Sequence, residues 1–154
     1  MIASPGGQAV TVDGSTLTAT FTSLTNGTPY TFTVVASNTV GTATSSSTSN
    51  AVTPATIPGA PTNVTAAAGN TQATVSWTAP SSTGGSAITE YTVTASPGGQ
   101  AVTVDGSTRT ATFTSLTTWT SYTFPVVAAT AVGSGAPSSP SNAVRTDNSE
   151  GGSE

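Results

Sequence analysis

The sequence predicts an all-β protein, a two-sheet antiparallel β-sandwich, and three observations carry that expectation. Charged residues make up only 5% of the chain, and the Thr and Val that help fill the rest suit a pleated surface through their branched Cβ. Short runs alternate apolar and polar residues, the two-residue period of a strand with one buried face. Turn formers such as Pro-Gly, Gly-Gly and Asp-Gly recur at roughly the eight-to-twelve-residue spacing of a sandwich. No segment holds a helical period, and nothing approaches the run of about 18 apolar residues that a membrane helix needs.

The chain is also a duplication. SPGGQAVTVDGST occupies 4–16 and again 96–108, and 37 of 50 positions agree when 3–52 is laid on 95–144 at an offset of 92. Self-similarity of this kind marks tandem repeats. The complete copy, 58–146, reads as seven strands. The first, 62–67, stops at Gly69-Asn70. In 73–78 (ATVSWT) Val75 and Trp77 share one face. A turn-rich loop leads into 88–95, with Tyr91 and Val93 inward. Ser96-Pro97-Gly98-Gly99 turns the chain into 100–104, and Asp105-Gly106 turns it again. Strand 109–113 ends on Phe113. In 122–128, Tyr122, Phe124, Val126 and Ala128 face inward. The last strand lies in 138–144, where Pro137 and Pro140 suit an edge. Trp77, Tyr91, Val93, Phe113, Leu116, Tyr122, Phe124 and Val126 are the expected core.

These residues resemble a fibronectin type III domain, an immunoglobulin-like sandwich. The likeness rests on Pro58-Gly59-Ala60-Pro61, Trp77 in the second strand, Tyr91 in the third and Leu116 six residues before Tyr122. It covers 58–146 and, in part, 3–54, where Leu24-Thr-Asn-Gly-Thr-Pro-Tyr30 is similar to that family's E–F corner. The resemblance implies a tyrosine hydroxyl bonded back to nearby backbone. The Ser/Thr/Gly-rich style looks like that of bacterial members, found in tandem between domains of secreted hydrolases and on cell surfaces. Two departures stand out. Trp119 occupies the position of the turn glycine Gly27, and Pro125 that of Thr33 in a central strand. Pro has no N–H, so a bulge or weakened pairing is expected at Pro125, costing roughly 1–3 kcal/mol.

At the same offset Met1 aligns with Val93, so the first copy has no equivalent of 62–92. Residues 1–54 then form a partial unit with C′, E, F and G strands only, 55–57 a linker and 147–154 a disordered acidic tail. A sandwich half buries too little to offset the ordering cost of about 1–2 kcal/mol per residue, so 1–54 should not fold alone. Three readings stay open. The chain is a piece of a longer tandem array; or the half is completed by strand exchange into a dimer or fibre; or 1–54 docks on 58–93 in place of 94–146. The last is disfavoured by a connector, 54–61, that spans at most about 26 Å. Each chain has two C′–G halves and one A–B–C half, so closed pairing of identical chains leaves a half uncovered, which predicts self-association.

The residue inventory excludes most chemistry. His, Lys and Cys are absent, which removes the base beside a nucleophile, the thiol and the structural zinc site. The complete copy holds two carboxylates, Glu90 and Asp105, and Asp105 opens an Asp-Gly turn, where Asp is a turn former. No catalytic residue, metal ligand or cofactor site is expected, and Asp105 with turn carbonyls falls short of the clustered acidic oxygens calcium takes. With no Lys and only two Arg, the clustered cations that neutralise nucleic-acid phosphates are missing, so no nucleic-acid partner is expected, and without Lys a Lys–Asn isopeptide crosslink is impossible. Asn26 and Asn63 open glycosylation sequons of a kind that arises by chance in a Thr-rich chain. Met1-Ile2-Ala3 lacks the features of a signal peptide. Trp119 is the candidate binding aromatic, for a sugar ring or a neighbouring domain, against the plainer reading that it packs over its own corner. The functional expectation is a spacer of an extracellular or cell-surface bacterial protein, partnered by neighbouring domains. The alternative is a binding or assembly module, acting as an adhesin, a carbohydrate-binding unit or a fibre subunit that self-associates through 1–54.

Overall fold

Apolar–polar alternation favours strands, but the two copies form them unequally: 101–105 and 110–113 are strands, whereas the matching 9–13 and 18–21 are not. In the computed structural model, which describes residues 1–147, the chain divides into Met1–Ala55 and a second unit that starts at Thr56.

In the first unit β1 (Ile2–Ser4) pairs antiparallel with β2 (Thr31–Thr33), in the register Ile2↔Thr33, Ala3↔Phe32, Ser4↔Thr31. Gly6 and Gly7 take positive φ in the turn that follows β1, and the Gly7 N–H donates to the Ala3 carbonyl at 2.9 Å. Single bridges join Ile2 to Ala9, Tyr30 to Val52 and Ser37 to Thr42. Met1–Ala55 forms a compact unit whose turns and corner are closed by local bonds. Its burial is shallow, however: among the described residues only Ala3 and Tyr30 are its buried hydrophobics. Residues 18–21 lie in no strand.

The second unit is a sandwich. One sheet orders β3 (Thr62–Ala68), β4 (Ala73–Thr78) and β7 (Thr110–Phe113) as β3-β4-β7. The other orders β5 (Ile88–Thr94), β6 (Ala101–Asp105) and β9 (Val126–Thr130) as β6-β5-β9. Two-residue strands β8 (Ser121–Tyr122) and β10 (Val144–Arg145) pair with each other. Alternate side chains from both sheets meet between them, Ala73, Val75 and Trp77 from β4 against Tyr91 and Val93 from β5 and Val126 and Ala128 from β9. Phe113 and Phe124 pack as tilted rings with centroids 4.9 Å apart, and Trp77 and Tyr91 likewise at 5.3 Å. Side chains of this size contribute about 1.5–3 kcal/mol each when fully buried.

The structure shifts several boundaries. The strand expected over 122–128 is broken into β8 and β9 at Pro125, while its neighbours keep pairing. Ser96 and Thr123 exchange both backbone bonds at 2.9 Å. At the next such pair the Thr94 N–H donates to the Pro125 carbonyl at 3.2 Å, and Pro125 has no N–H to return. The last strand, expected over 138–144, is regular only at Val144–Arg145. Upstream of it, hydroxyls take the place of ladder carbonyls. The Val126 N–H donates to Ser138 Oγ at 2.9 Å and the Phe124 N–H to Ser141 Oγ at 3.1 Å, both buried. Ser138 and Ser141 return their own N–H groups to the carbonyls of Val126 and Phe124. Thr56, expected in the linker, donates its N–H to the Gly84 carbonyl and belongs to the second unit. Asp147, expected in the tail, accepts the Thr71 N–H at 3.0 Å and belongs to the sandwich. The rest of that tail, 148–154, lies outside the described residues.

Candidate binding surface

The corner that precedes β8 is built by one hydroxyl. The Thr117 N–H donates to Tyr122 Oη at 3.0 Å, which folds 117–122 back on the ring. Leu116, 5% exposed, anchors the near side, and its N–H reaches the Thr71 carbonyl at 2.9 Å. Thr146, fully buried, donates its Oγ1 hydrogen to the Thr117 carbonyl at 2.8 Å and accepts the Trp119 N–H at its own carbonyl at 2.8 Å. The first unit repeats the device, with the Thr25 N–H on Tyr30 Oη at 3.0 Å and the Gly27 N–H on the Pro54 carbonyl at 2.9 Å.

Gly27 has φ 85°, and Trp119 holds the same turn with φ 63°. A side chain in that region costs about 1–2 kcal/mol, so the corner retains Trp119 in a backbone state that favours glycine. Its indole is 64% exposed, and the Arg145 guanidinium carbon sits 5.1 Å from the ring centroid, a cation–π contact. The result is a solvent-facing aromatic at a hydrogen-bonded corner beside a positive charge.

The other singled-out residues do not join it. Trp77, Tyr91, Val93, Phe113, Leu116, Tyr122, Phe124 and Val126 are all buried in the sandwich. The Trp77 indole N–H is buried and has no acceptor. Asp105 Oδ1 accepts from the Ser107 N–H, Ser107 Oγ and Thr108 Oγ1 at 3.0, 2.8 and 2.9 Å. Those bonds, the Ser107 hydroxyl first, hold the carboxyl below its ordinary range, and Asp13 repeats the arrangement with Ser15 and Thr16. One pairing escaped the sequence reading: Glu90 and Asp105 stand directly opposite across β5 and β6. Only a known register could have revealed it, because the loop length between the strands had to be fixed first. Among the described residues no three His, Cys, Asp or Glu side chains gather as a metal site.

The profile of the fibronectin type III domain matches residues 59–144. The chain belongs to the fibronectin type III family. Chitinase A1 of Niallia circulans is 40% identical over 148 residues, which is 90% of this chain and 20% of that protein. Contactin-3 of Rattus norvegicus is 52% identical over 44 residues, 29% of this chain and 4% of that one. Among solved structures, titin domains A168–A170 superpose with a TM-score of 0.57 at 28% identity, covering 78% of this chain and 41% of theirs. This fibronectin type III chain therefore spans a small part of each curated relative it matches. Among its described residues no helix is long and apolar enough to cross a membrane.

Proposed function

We propose that this chain is a non-catalytic spacer that separates domains of a larger extracellular bacterial protein, with a polysaccharide hydrolase as the favoured parent. The observation that carries this reading is the extent of the chitinase match, nearly the whole of this chain but only 20% of the relative. The same fold serves many functions, and the surface of this chain agrees with the spacer role. Asp13 and Asp105 are committed to their turns, and the sequence supplies no His, Lys or Cys to act beside them. In a sedimentation assay with insoluble chitin, the spacer stays in the supernatant, and light scattering across a dilution series gives one constant mass. Retention on chitin sinks this reading.

The exposed indole of Trp119 favours one second reading, a sugar-stacking contact. Pyranose rings pack on such aromatics through their apolar C–H faces, and a hydrogen-bonded corner presents this one. If that reading holds, the chain is retained on an insoluble polysaccharide and Trp119→Ala releases it. Retention that survives Trp119→Ala removes it.

A further inference from the structure

Where the first unit passes into the second, the backbone is tied on both sides of a single residue. On the near side, Tyr30 and Val52 exchange both backbone bonds, at 2.8 and 2.9 Å, and the Gly27 N–H then donates to the Pro54 carbonyl at 2.9 Å. On the far side, the Thr56 N–H donates to the Gly84 carbonyl at 2.8 Å and the Gly59 N–H to the Ser82 carbonyl at 3.0 Å. The Pro54 carbonyl belongs to the peptide plane that joins 54 to 55, and the Thr56 N–H to the plane that joins 55 to 56. Peptide planes barely bend, so two adjacent planes turn relative to each other only through the φ and ψ of the residue they share. That residue is Ala55. Its neighbours add little freedom. Pro54 and Pro58 have fixed φ, and Thr53 and Ile57, each preceding a proline, are confined to extended backbone.

The far tie has a shape that only glycine allows. A methyl group on Gly84 would overlap the carbonyl oxygens of Thr56 and Ile57, and one on Gly135 would overlap the carbonyl oxygen of Pro58. The loop before β5 and the loop after β9 thus approach 56–58 at backbone distance, and Pro58 is buried. Gly84 also takes φ 78°, a value side chains rarely adopt. Gly135 lies outside that region, so its missing side chain serves the close approach alone. The first copy carries Ala43 at the matching position. The near tie, by contrast, is common to both copies, since the bond from Gly27 to Pro54 matches that from Trp119 to Thr146, at 2.8 Å. Each unit therefore fastens its own exit.

We propose that the chain pivots at Ala55 alone, a one-residue joint set by the exit tie of the first unit and a glycine slot in the second. A flexible connector of n residues lets its ends wander over about 5–6 Å times the square root of n. A joint with two free dihedral angles samples only the allowed wells of one alanine. Thermal motion then turns the units about a fixed point without lengthening the path between them. The slot makes the extent of the joint a property of Gly135. Filling it frees 56–59 and spreads the pivot from one residue to five. Use of this joint to hold domains apart rests on the spacer reading, whereas the joint itself does not.

The test compares the full chain in its native form, as Gly135→Ala, and with a Gly-Ser-Gly-Ser insert after Ala55, by amide exchange and nuclear spin relaxation. In the native chain the amides of Thr31–Thr33 and those of β5 and β9 should share one rotational correlation time. The insert should abolish that common value, with Thr31–Thr33 tumbling faster. Gly135→Ala should speed exchange of the Thr56 and Gly59 amides by roughly 10-fold or more and move the correlation times toward those of the insert form. Gly59→Ala serves as control, because its methyl would meet the Ser82 carbonyl oxygen at an ordinary 3.5 Å, and it should leave Thr56 exchange at the native rate. If Gly135→Ala unfolds the sandwich, seen as lost protection in β5 and β9, the native and insert forms decide. A native chain whose units tumble as independently as those of the insert form overturns the proposal. So does a folded Gly135→Ala form with native exchange at Thr56 and Gly59. Retention on chitin would remove the spacer reading and leave these outcomes untouched.

Discussion

Ser138 and Ser141 each use a hydroxyl where a sandwich strand ordinarily uses a carbonyl. Pro137 and Pro140 prevent a regular ladder, and the buried N–H groups of Val126 and Phe124 would otherwise face no acceptor. A buried donor left unpaired costs about 1–3 kcal/mol. Ser138→Ala should therefore lower the stability of the second unit by about 1–3 kcal/mol, read from urea midpoints with an unchanged slope. The first unit has the same hydroxyl bonds, Ser49 Oγ to the Phe32 N–H and Ser46 Oγ to the Val34 N–H, but in exposed positions. Ser46→Ala should cost far less, since water replaces the acceptor. Asp105 gives a pH signature at the same scale. Its folded-state carboxyl is held low by the Ser107 and Thr108 hydroxyls. Its stabilisation is present above the unfolded value, near about 4, and is lost as pH falls through the lower folded value. Denaturation midpoints should decline below pH of about 4, and Asp105→Asn should flatten that decline; an identical pH profile for the variant would count against the turn bonds.

Among the elements, the strand broken at Pro125 offers an internal control. The equivalent Thr33 pairs with Ile2 in β2, whereas Pro125 only accepts, from Thr94. Pro125→Thr supplies an N–H aimed at the Thr94 carbonyl and should stabilise the second unit by about 0.5–1.5 kcal/mol, with β8 and β9 merging and the Thr123–Val126 amides gaining exchange protection. An unchanged midpoint would mean the break is set by something other than the missing donor. Elements were the most legible level of this sequence. Alternation placed β4 at its observed bounds and β5 within one residue of them, and the Thr33–Pro125 difference pointed to an interrupted ladder, whereas the positive φ of Trp119 was not read from its exchange with Gly27. Less legible was the last strand, because Ser-Pro spacing carries no sign that hydroxyls will replace carbonyls. The Glu90–Asp105 apposition was hidden for a related reason, since register is a tertiary property.

At the scale of the whole molecule, the repeat supplies two sheets facing each other once and a single covered corner the second time. Trp77, Tyr91, Phe113 and Phe124 close one unit, while Phe21, Phe32 and Val34 in the other keep water contact. Sequence identity between the copies made this asymmetry readable from the offset alone, but not that Met1–Ala55 would still hold its corner and β1–β2 ladder. The two units should therefore differ widely in stability although they share most of their residues. Amide exchange on the full chain measures that difference directly. The account predicts that β5 and β9 exchange only through global opening, while the amides of Thr31–Thr33 exchange roughly 100-fold faster or more. Equal protection of Thr31–Thr33 and Val126–Thr130 would contradict it.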